Sequence, residues 1–242
     1  MTSTELRAKV EQSKVDAYNE QTGTMIGYDC PVCKNKGYVG ILRDGIMAVS
    51  ECDCMIRRRT MRRLAQSGLQ AIMEDYTFDR YETPKAWQKS AKAKAMDFAE
   101  HGNGWFVIVG FPGTGKTHLC TAICGSLLEQ NKSVLYMLWR DEAPKLKANV
   151  NDRAIYDNVM GEYKAADVLY IDDFWKGSVT DADINLAFEL LNSRYNSRKI
   201  TILSGEKDIE QMLEIDEAVG SRIYERSKGY LVKTPAENYR LR

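Results

Sequence analysis

The feature that most restricts the fold of this chain is the passage from the apolar run WFVIVG into FPGTGKT at residues 105–117. The pattern G-x-x-x-x-G-K-[ST] lies here between an apolar stretch typical of a buried strand and a helical stretch, which is the context that phosphate binding requires. Glycines let successive backbone N–H groups point inward, and the start of the following helix also attracts phosphate oxygens. The passage therefore predicts a nucleotide site; the alternative is a glycine-rich turn that contains Lys-Thr by chance.

Two side chains of this loop have specific expected roles. Lys116 is expected to reach the β- and γ-phosphates of ATP, and Thr117 to place its hydroxyl on Mg²⁺. The residues predicted to contact the nucleotide in this segment are Gly110, Pro112, Gly113, Thr114, Gly115, Lys116, Thr117 and His118.

The sequence after residue 104 alternates between apolar runs and helical patterns. The runs WFVIVG, SVLYML, VLYIDD, ITIL and GYLVKT are separated by stretches with helical periodicity. Continuous apolar strands that alternate with amphipathic helices indicate a parallel sheet covered on both faces. The predicted fold class is therefore α/β, with a five-stranded parallel sheet between helices.

An acidic pair ends the run VLYIDD. Asp172 and Asp173 follow four apolar residues at the carboxyl end of a predicted strand, where sheet-bound ligands lie. Asp172 is expected to hold magnesium, and Asp173 to orient or deprotonate an attacking water. The alternative is a helix cap, a common role of aspartate after a strand. Because aspartate is one methylene shorter than glutamate, we expect slow ATP hydrolysis.

Polar residues near the C-terminus complete the predicted site. ITIL is followed by a turn in which Ser204 or Glu206 could sense the γ-phosphate, although a simple turn is equally compatible with the pattern. Arg222 and Arg226 are four apart, so one helical face presents both, either to a neighbouring subunit's γ-phosphate or to solvent. Arg240 is a candidate for contacting the nucleotide within the same subunit.

The cysteines fall into two groups. Four of them form the pattern C-x₂-C, eighteen residues, then C-x-C, which suits a closed structural zinc site with thiolate ligands at Cys30, Cys33, Cys52 and Cys54. Disulfides or free thiols are the alternative, but metal is favoured in a cytosolic protein. So short a segment buries little core, and the metal would supply folding energy. The other two cysteines, Cys120 and Cys124, have the spacing of core residues.

Charge and hydropathy restrict the partners and the compartment. The 34 Lys and Arg residues balance the 34 Asp and Glu residues, so nucleic acid would have to meet a local basic patch. MIRRRTMRR at residues 55–63 could contact phosphates, or form a solvated helix face. Lys145, Lys147 and Asn149 are candidate DNA contacts in an assembly. Without a long apolar run or a signal peptide, the expected location is the cytoplasm, with no membrane contact.

The ordered motifs carry a family resemblance. GFPGTGKTHL, VLYIDDFWKGSVTDADINLAFELLNSRYNSRKITIL, IDEAVGSRIYERSKGY and NYRLR resemble the AAA+ ATPases of the DnaC/DnaI helicase-loader group, to which the transposition helper IstB also belongs. The resemblance implies an AAA+ P-loop NTPase fold, with phosphate-loop residues Lys116 and Thr117 and an acidic strand end at Asp172 and Asp173. It also implies an arginine finger in the segment of Arg222 and Arg226, with Arg226 the better match, and nucleotide sensing in cis by Arg240. The family's usual asparagine after ITIL is absent, because this chain has Ser-Gly-Glu.

The resemblance also implies a function and a division of the chain. We expect an N-terminal helix plus a Cys₄ zinc module that contacts the helicase over residues 1–63, a helical linker over 64–101 and an AAA+ ATPase domain over 102–242. Such proteins bind the hexameric replicative helicase and deliver it to single-stranded DNA, with assembly and release controlled by ATP. The alternatives are an IstB-like transposition helper, an adaptor that binds ATP with little turnover, and a small-molecule kinase.

Overall fold

The N-terminal part of the chain is built from one helix and one β-hairpin. The structure is a computed structural model and describes residues 3–66, 69–236 and 238. It divides into two compact units, Met1–Arg62 and Arg63–Arg242. In the first unit, helix α1 spans Ser3–Glu20, and the antiparallel strands β1 and β2 span Tyr38–Arg43 and Ile46–Glu51. Helix α2 (Cys54–Gln66) begins at the last of the four clustered cysteines.

Helix α1 supports the hairpin through Gly40 at the centre of β1. The side-chain amide of Asn19 accepts a hydrogen bond from Gly40 N at 2.8 Å and donates one to Gly40 O at 3.0 Å. A Cβ at Gly40 would lie 3.3 Å from the ring of Tyr18, so the helix packs closely on the strand there. Because a lone two-stranded hairpin is marginally stable in water, packing against α1 supplies the second layer that it needs.

The second unit contains the predicted parallel sheet. Its order is β4–β5–β6–β3–β7, and each neighbouring pair is parallel. The strands are β3 (Trp105–Gly110), β4 (Val134–Leu138), β5 (Val168–Phe174), β6 (Ile200–Gly205) and β7 (Leu231–Thr234). The first five residues of β3 and of β5 are buried, as expected for strands covered on both faces. The α/β class and the five-stranded parallel sheet are therefore confirmed.

Helices connect these strands and cover the sheet. They are α3 (Gln70–Met73), α4 (Ala86–His101), α5 (Lys116–Glu129), α6 (Trp139–Ala148), α7 (Arg153–Ala165), α8 (Asp181–Asn196), α9 (Ile209–Ile215) and α10 (Glu217–Arg226). Cys120 and Cys124 are buried on α5, as predicted. No helix among residues 3–66, 69–236 and 238 is both long and apolar enough to cross a membrane.

The strand order decides where the polar residues meet. β6 lies between β3 and β5, so the carboxyl ends of these three strands are neighbours at one edge of the sheet. The phosphate loop follows β3, the acidic pair lies near the end of β5, and Ser204 and Gly205 end β6 with Glu206 directly after them. Three segments that are far apart in the sequence therefore meet at the edge where open α/β sheets bind ligands.

Candidate functional site

The phosphate loop needs its glycines for reasons that the backbone makes explicit. Gly110, Gly113 and Gly115 all have positive φ, at 124°, 74° and 84°. A Cβ at Gly110 would lie 2.5 Å from the hydroxyl of Thr234 on β7, so a side chain does not fit. Gly115 is the N-cap of α5 and offers no side-chain cap. The N–H groups of the first turn of α5 therefore remain available to an anion.

Lys116 lies inside the curl of this loop. Its ammonium donates hydrogen bonds to the carbonyls of Gly110 at 2.8 Å and Phe111 at 2.7 Å. Burial lowers the pKa of Lys116, although the charges of Glu206 and Asp173 oppose that shift. A partly desolvated ammonium held only by two carbonyls has a stronger partner in a phosphate oxygen.

Asp172 is the most heavily bonded carboxylate of the site. It is 6% exposed and accepts hydrogen bonds from Tyr136 OH at 3.2 Å, from Asp173 N at 3.0 Å and from the hydroxyl of Ser204. The hydroxyl of Thr117 lies 3.4 Å from Asp172 Oδ2. A hydroxyl and a carboxylate oxygen are the hard oxygen ligands that a magnesium ion takes.

Asp173 has a different environment from its neighbour. Its φ is 54°, an uncommon left-handed conformation for a residue with a side chain, and the β5–β6 register is irregular between Ile171 and Phe174. Its carboxylate is about one third exposed and lies 3.1 Å from Lys176 Nζ. The two aspartates are therefore separated by environment: one is buried and fully bonded, and the other faces the cavity.

Strand β6 continues through the predicted turn to Gly205, so Ser204 lies in the strand, Glu206 follows it, and their side chains lie on different sides. Ser204 is buried and donates to Asp172, with Tyr170 OH 3.4 Å away. Glu206 lines the cavity and forms an ion pair with Lys176 at 3.0 Å. Of the two residues considered for phosphate sensing, Glu206 faces the space where a nucleotide would bind, and Ser204 supports the carboxylate behind it.

A cavity of about 480 Å³ joins these groups. Residues 112–118 of the loop line it together with Asp173, so most of the predicted contacts meet in one place. The other side comes from the segment before α4, where Tyr76 stacks on the ring of His118 with centroids 4.7 Å apart and planes 5° apart. Tyr81 meets His118 edge-on at 5.1 Å. These aromatic rings form an apolar wall next to the phosphate loop, which suits a planar base.

Sequence reasoning missed this aromatic wall and Lys176. The segment DYTFDRYETP contains three aromatic residues close before the sheet, and that clustering was the available signal. Lys176 carried no signal, because its role depends on the turn that follows β5.

The predicted arginines lie elsewhere in the second unit. Arg222 donates to Asn192 Oδ1 at 3.0 Å and covers the ring of Phe188 at 5.1 Å, and Arg226 donates to the carbonyl of Asn103 at 3.1 Å. Neither lines the nucleotide cavity among the described residues, so neither meets this chain's own site. Arg240 lies outside the described residues. Two of the candidate DNA contacts have acidic partners, since Lys145 pairs with Glu142 and Lys147 with Asp183, each at 2.7 Å.

The four N-terminal cysteines converge in the first unit. Their sulfur atoms all lie within 4.8 Å of one another, and all four residues are buried. Cys30 Sγ is 3.8 Å from Cys52 Sγ, and Cys33 Sγ is 3.5 Å from Cys54 Sγ. A disulfide needs about 2.05 Å, whereas four sulfurs at about 2.3 Å from a tetrahedral zinc are about 3.8 Å apart. The arrangement fits a Cys₄ metal site and not a pair of disulfides.

A backbone N–H group and an arginine form hydrogen bonds in and around this cysteine cluster. Burial raises the pKa of a thiol, but at Cys33 hydrogen bonds from Gly37 N and from neighbouring sulfurs outweigh it and lower the pKa to about 7. Arg58 donates to the carbonyls of Ile26 and Tyr28 beside the first cysteine pair.

Two more arginines of the basic run are also engaged. Arg57 covers the ring of Tyr28 at 4.4 Å, and Arg59 forms a bidentate pair with Glu51. Three arginines of the basic run thus have structural partners within the first unit, where the sequence suggested DNA phosphates or solvent.

Comparison with known proteins agrees with this architecture. The chain is 31% identical over 229 residues to the phage-like element PBSX protein XkdC of Bacillus subtilis (strain 168), covering 88% of this chain and 85% of that protein. It is 25% identical over 174 residues to the replicative helicase loader DnaC of Escherichia coli (strain K12), covering 70% of each. A crystal structure of the DnaC helicase loader has the same fold, with a TM-score of 0.60 and 21% identity over 67% of this chain and 98% of that one. The family model of the IstB-like ATP binding proteins matches residues 46–242. The chain therefore belongs to the IstB-like ATP binding protein family, within the DnaC-like AAA+ ATPases.

Proposed function

We propose that this protein is an ATP-dependent loader of a replicative DNA helicase onto single-stranded DNA. The observation that carries the proposal is the meeting of Lys116, Thr117 and Asp173 in one cavity, with Asp172 directly behind them. A switch of this kind must distinguish ATP from ADP, and the cavity has the groups to do so. Membership of a family that includes a named helicase loader supports the partner.

The residues divide the work of binding and hydrolysis. Lys116 and the N–H groups at the start of α5 hold the phosphates, and the rings of Tyr76 and His118 flank the base. Thr117 and Asp172 would hold Mg²⁺, which neutralises phosphate charge. Asp173 accepts the proton of the attacking water. Hydrolysis is slow, because the side chain of Asp173 is one methylene shorter than that of a glutamate.

Self-assembly would bring Arg222 and Arg226 of one copy to the nucleotide of its neighbour. Arg222 and Arg226 lie on α10 away from the chain's own cavity, which suits action on the nucleotide of a neighbouring copy. We propose that ATP drives this self-assembly, that the assembled copies bind single-stranded DNA, and that Arg240 contacts the nucleotide in cis.

The first unit has a separate proposed role. Its cysteine cluster binds one structural Zn²⁺ through Cys30, Cys33, Cys52 and Cys54, and the unit contacts the helicase. With all four coordination positions taken by protein sulfurs, the metal stabilises the unit and takes no part in hydrolysis.

A transposition helper that acts on target DNA is the second candidate function. The observation that favours it is the description of the matching family model, which begins at residue 46. Residues 1–45 lie outside that match and contain α1, β1 and the first cysteine pair. An additional folded module before the ATPase favours the loader over the transposition helper.

A capture experiment separates the two functions. The replicative helicase hexamer of the organism that encodes this chain is immobilised and mixed with the full-length protein in AMPPNP, ADP or no nucleotide. We expect retention that depends on the nucleotide, and loading of the helicase onto circular single-stranded DNA that Lys116→Ala abolishes. Absence of retention in every nucleotide state, together with nucleotide-dependent binding to duplex DNA, would favour the transposition helper.

A further inference from the structure

A second lysine enters the nucleotide cavity from the turn after β5. Lys176 Nζ lies 3.1 Å from Asp173 Oδ2 and 3.0 Å from Glu206 Oε1, so it bridges the ends of β5 and β6. It lines the same cavity as Lys116, which comes from α5 after β3. Two ammonium groups therefore reach one nucleotide-sized space from different strands.

The turn that carries Lys176 is fixed at its base. Trp175 before it has φ 53° and is 1% exposed, and its ring stacks on Phe174 with centroids 4.7 Å apart. Gly177 after it has φ 85°. Left-handed residues on both sides of the lysine hold its backbone in one place, and such conformations concentrate at functional sites. The long side chain remains the movable part.

The ion pairs of Lys176 with Asp173 and Glu206 are easily broken. Lys176, Asp173 and Glu206 are each about 30% exposed at their side chains. Ion pairs that exposed contribute little to stability, so releasing the lysine costs little. A terminal phosphate carries up to about two negative charges and three acceptor oxygens, more than either carboxylate offers.

We propose that Lys176 binds the terminal phosphate of ATP and is held by Glu206 and Asp173 when that phosphate is not there. This inference rests on the proposed ATP function and names the group that distinguishes ATP from ADP. The transfer has a consequence for hydrolysis. When Lys176 moves to the phosphate, Asp173 loses its partner and is free to take a proton from water. Lys176 thus acts from the turn after β5. This turn lies next to the end of β6, where the chain has Ser-Gly-Glu in place of the usual asparagine.

The test compares AMPPNP with ADP, because only AMPPNP carries the third phosphoryl group. Dissociation constants of both are measured by calorimetry, with Mg²⁺ present, for the full-length wild type and for variants. Lys176→Met should weaken AMPPNP binding about tenfold, the effect of one charged hydrogen bond, and leave ADP within about twofold. Glu206→Gln removes a competitor of the phosphate and should tighten AMPPNP about two- to threefold, with ADP unchanged.

Controls make each outcome decisive. Lys176→Arg keeps the charge and should retain most of the preference for AMPPNP, and Lys207→Met alters a neighbouring lysine that does not line the cavity and should change neither constant. If Lys176→Met weakens both nucleotides alike, or neither, the inference is overturned. Glu206→Gln gives the same decision should Lys176→Met fail to fold. A wild type that binds neither nucleotide would instead remove the proposed ATP function, and the inference with it.

Discussion

The cysteine cluster and the nucleotide cavity both gather reactive side chains, but different forces hold them in place. The cavity lies at the edge of a sheet whose strands are buried from Trp105 to Val109 and from Val168 to Asp172. In the first unit, by contrast, most residues of β1 and β2 are exposed or half-buried, and the four cysteines form a buried cluster with Tyr28, Val39 and Met55 half-buried against it.

The two sites therefore differ in what they need in order to form. A sheet with covered faces positions Asp172 and Gly110 whether or not a ligand binds. Four thiols supported by so few buried apolar side chains lack that independence, because a small unit buries too little surface to offset its conformational entropy. On the proposed roles, the nucleotide would therefore be a ligand of a preformed site, whereas zinc would be part of the fold of the first unit.

The strongest way to break this comparison is to remove one sulfur. Cys33→Ser replaces a ligand of lowered pKa with a hydroxyl that does not ionise, and structural zinc contributes about 10 kcal/mol or more to such modules. We expect zinc to fall from about one ion per chain to none, as measured by metal analysis. Amide exchange protection of α1, β1 and β2 should be lost, while AMPPNP binding stays within about twofold of the wild type.

A cysteine outside the cluster provides the matched control. Cys124→Ala alters a buried thiol of α5 and should leave the zinc content unchanged. Metal-free wild-type protein that keeps its exchange protection in the hairpin would contradict the structural role of zinc. Loss of AMPPNP binding in Cys33→Ser would contradict the independence of the nucleotide site.

The next largest effect concerns the two aspartates. Asp173→Asn keeps the size of the side chain but removes its ability to accept a proton. We expect the rate of ATP hydrolysis to fall roughly 10²- to 10⁴-fold, with AMPPNP affinity within about threefold of the wild type. Asp181→Asn, at the exposed start of α8, is the control and should hydrolyse ATP normally. An unchanged rate in Asp173→Asn would assign the proton to another group.

The fold could be predicted from sequence wherever the signal is local. Each apolar run that predicted a strand in the second unit is a strand, because a short run of consecutive apolar residues between helical segments has few other stable placements. The hairpin of the first unit was missed, although its turn, Asp44-Gly45, is a strong hairpin signal. Both residues have positive φ, at 54° and 75°, as a tight hairpin turn demands. The cysteine spacing is the stronger signal in this segment, and it does not predict the strands between the two pairs.

The site was predictable only in part, for a related reason. Spacing within one segment identified the phosphate loop, the acidic pair and the four cysteines. The contact of Lys176 with Glu206 joins two turns, and the stack of Tyr76 on His118 joins residues 42 positions apart. Such pairs depend on strand order and on the path of a loop, which local patterns do not encode.

Removing part of the aromatic wall should have a smaller effect, which separates the contact to the base from the contact to the phosphate within the cavity. Tyr76→Ala removes the ring that stacks on His118 and should weaken AMPPNP and ADP equally, by about three- to tenfold. Tyr76→Phe retains the stack and should bind both like the wild type. Equal loss of the two nucleotides distinguishes a contact to the base from the phosphate contact of Lys176. A selective loss of AMPPNP in Tyr76→Ala would contradict this placement of the base.

The smallest effect tests whether the basic run of α2 serves the first unit or DNA. Arg59 pairs with Glu51 while both side chains are more than 40% exposed, and such pairs contribute about 0–1 kcal/mol. Arg59→Ala should therefore reduce exchange protection in β2 less than about fivefold, and Glu51→Gln should do the same. Because the guanidinium of Arg59 is already paired with Glu51, Arg59→Ala should not change the salt dependence of single-stranded DNA binding. A drop of about one in the log–log salt slope for Arg59→Ala, but not for Glu51→Gln, would mean that this arginine leaves its carboxylate for a phosphate.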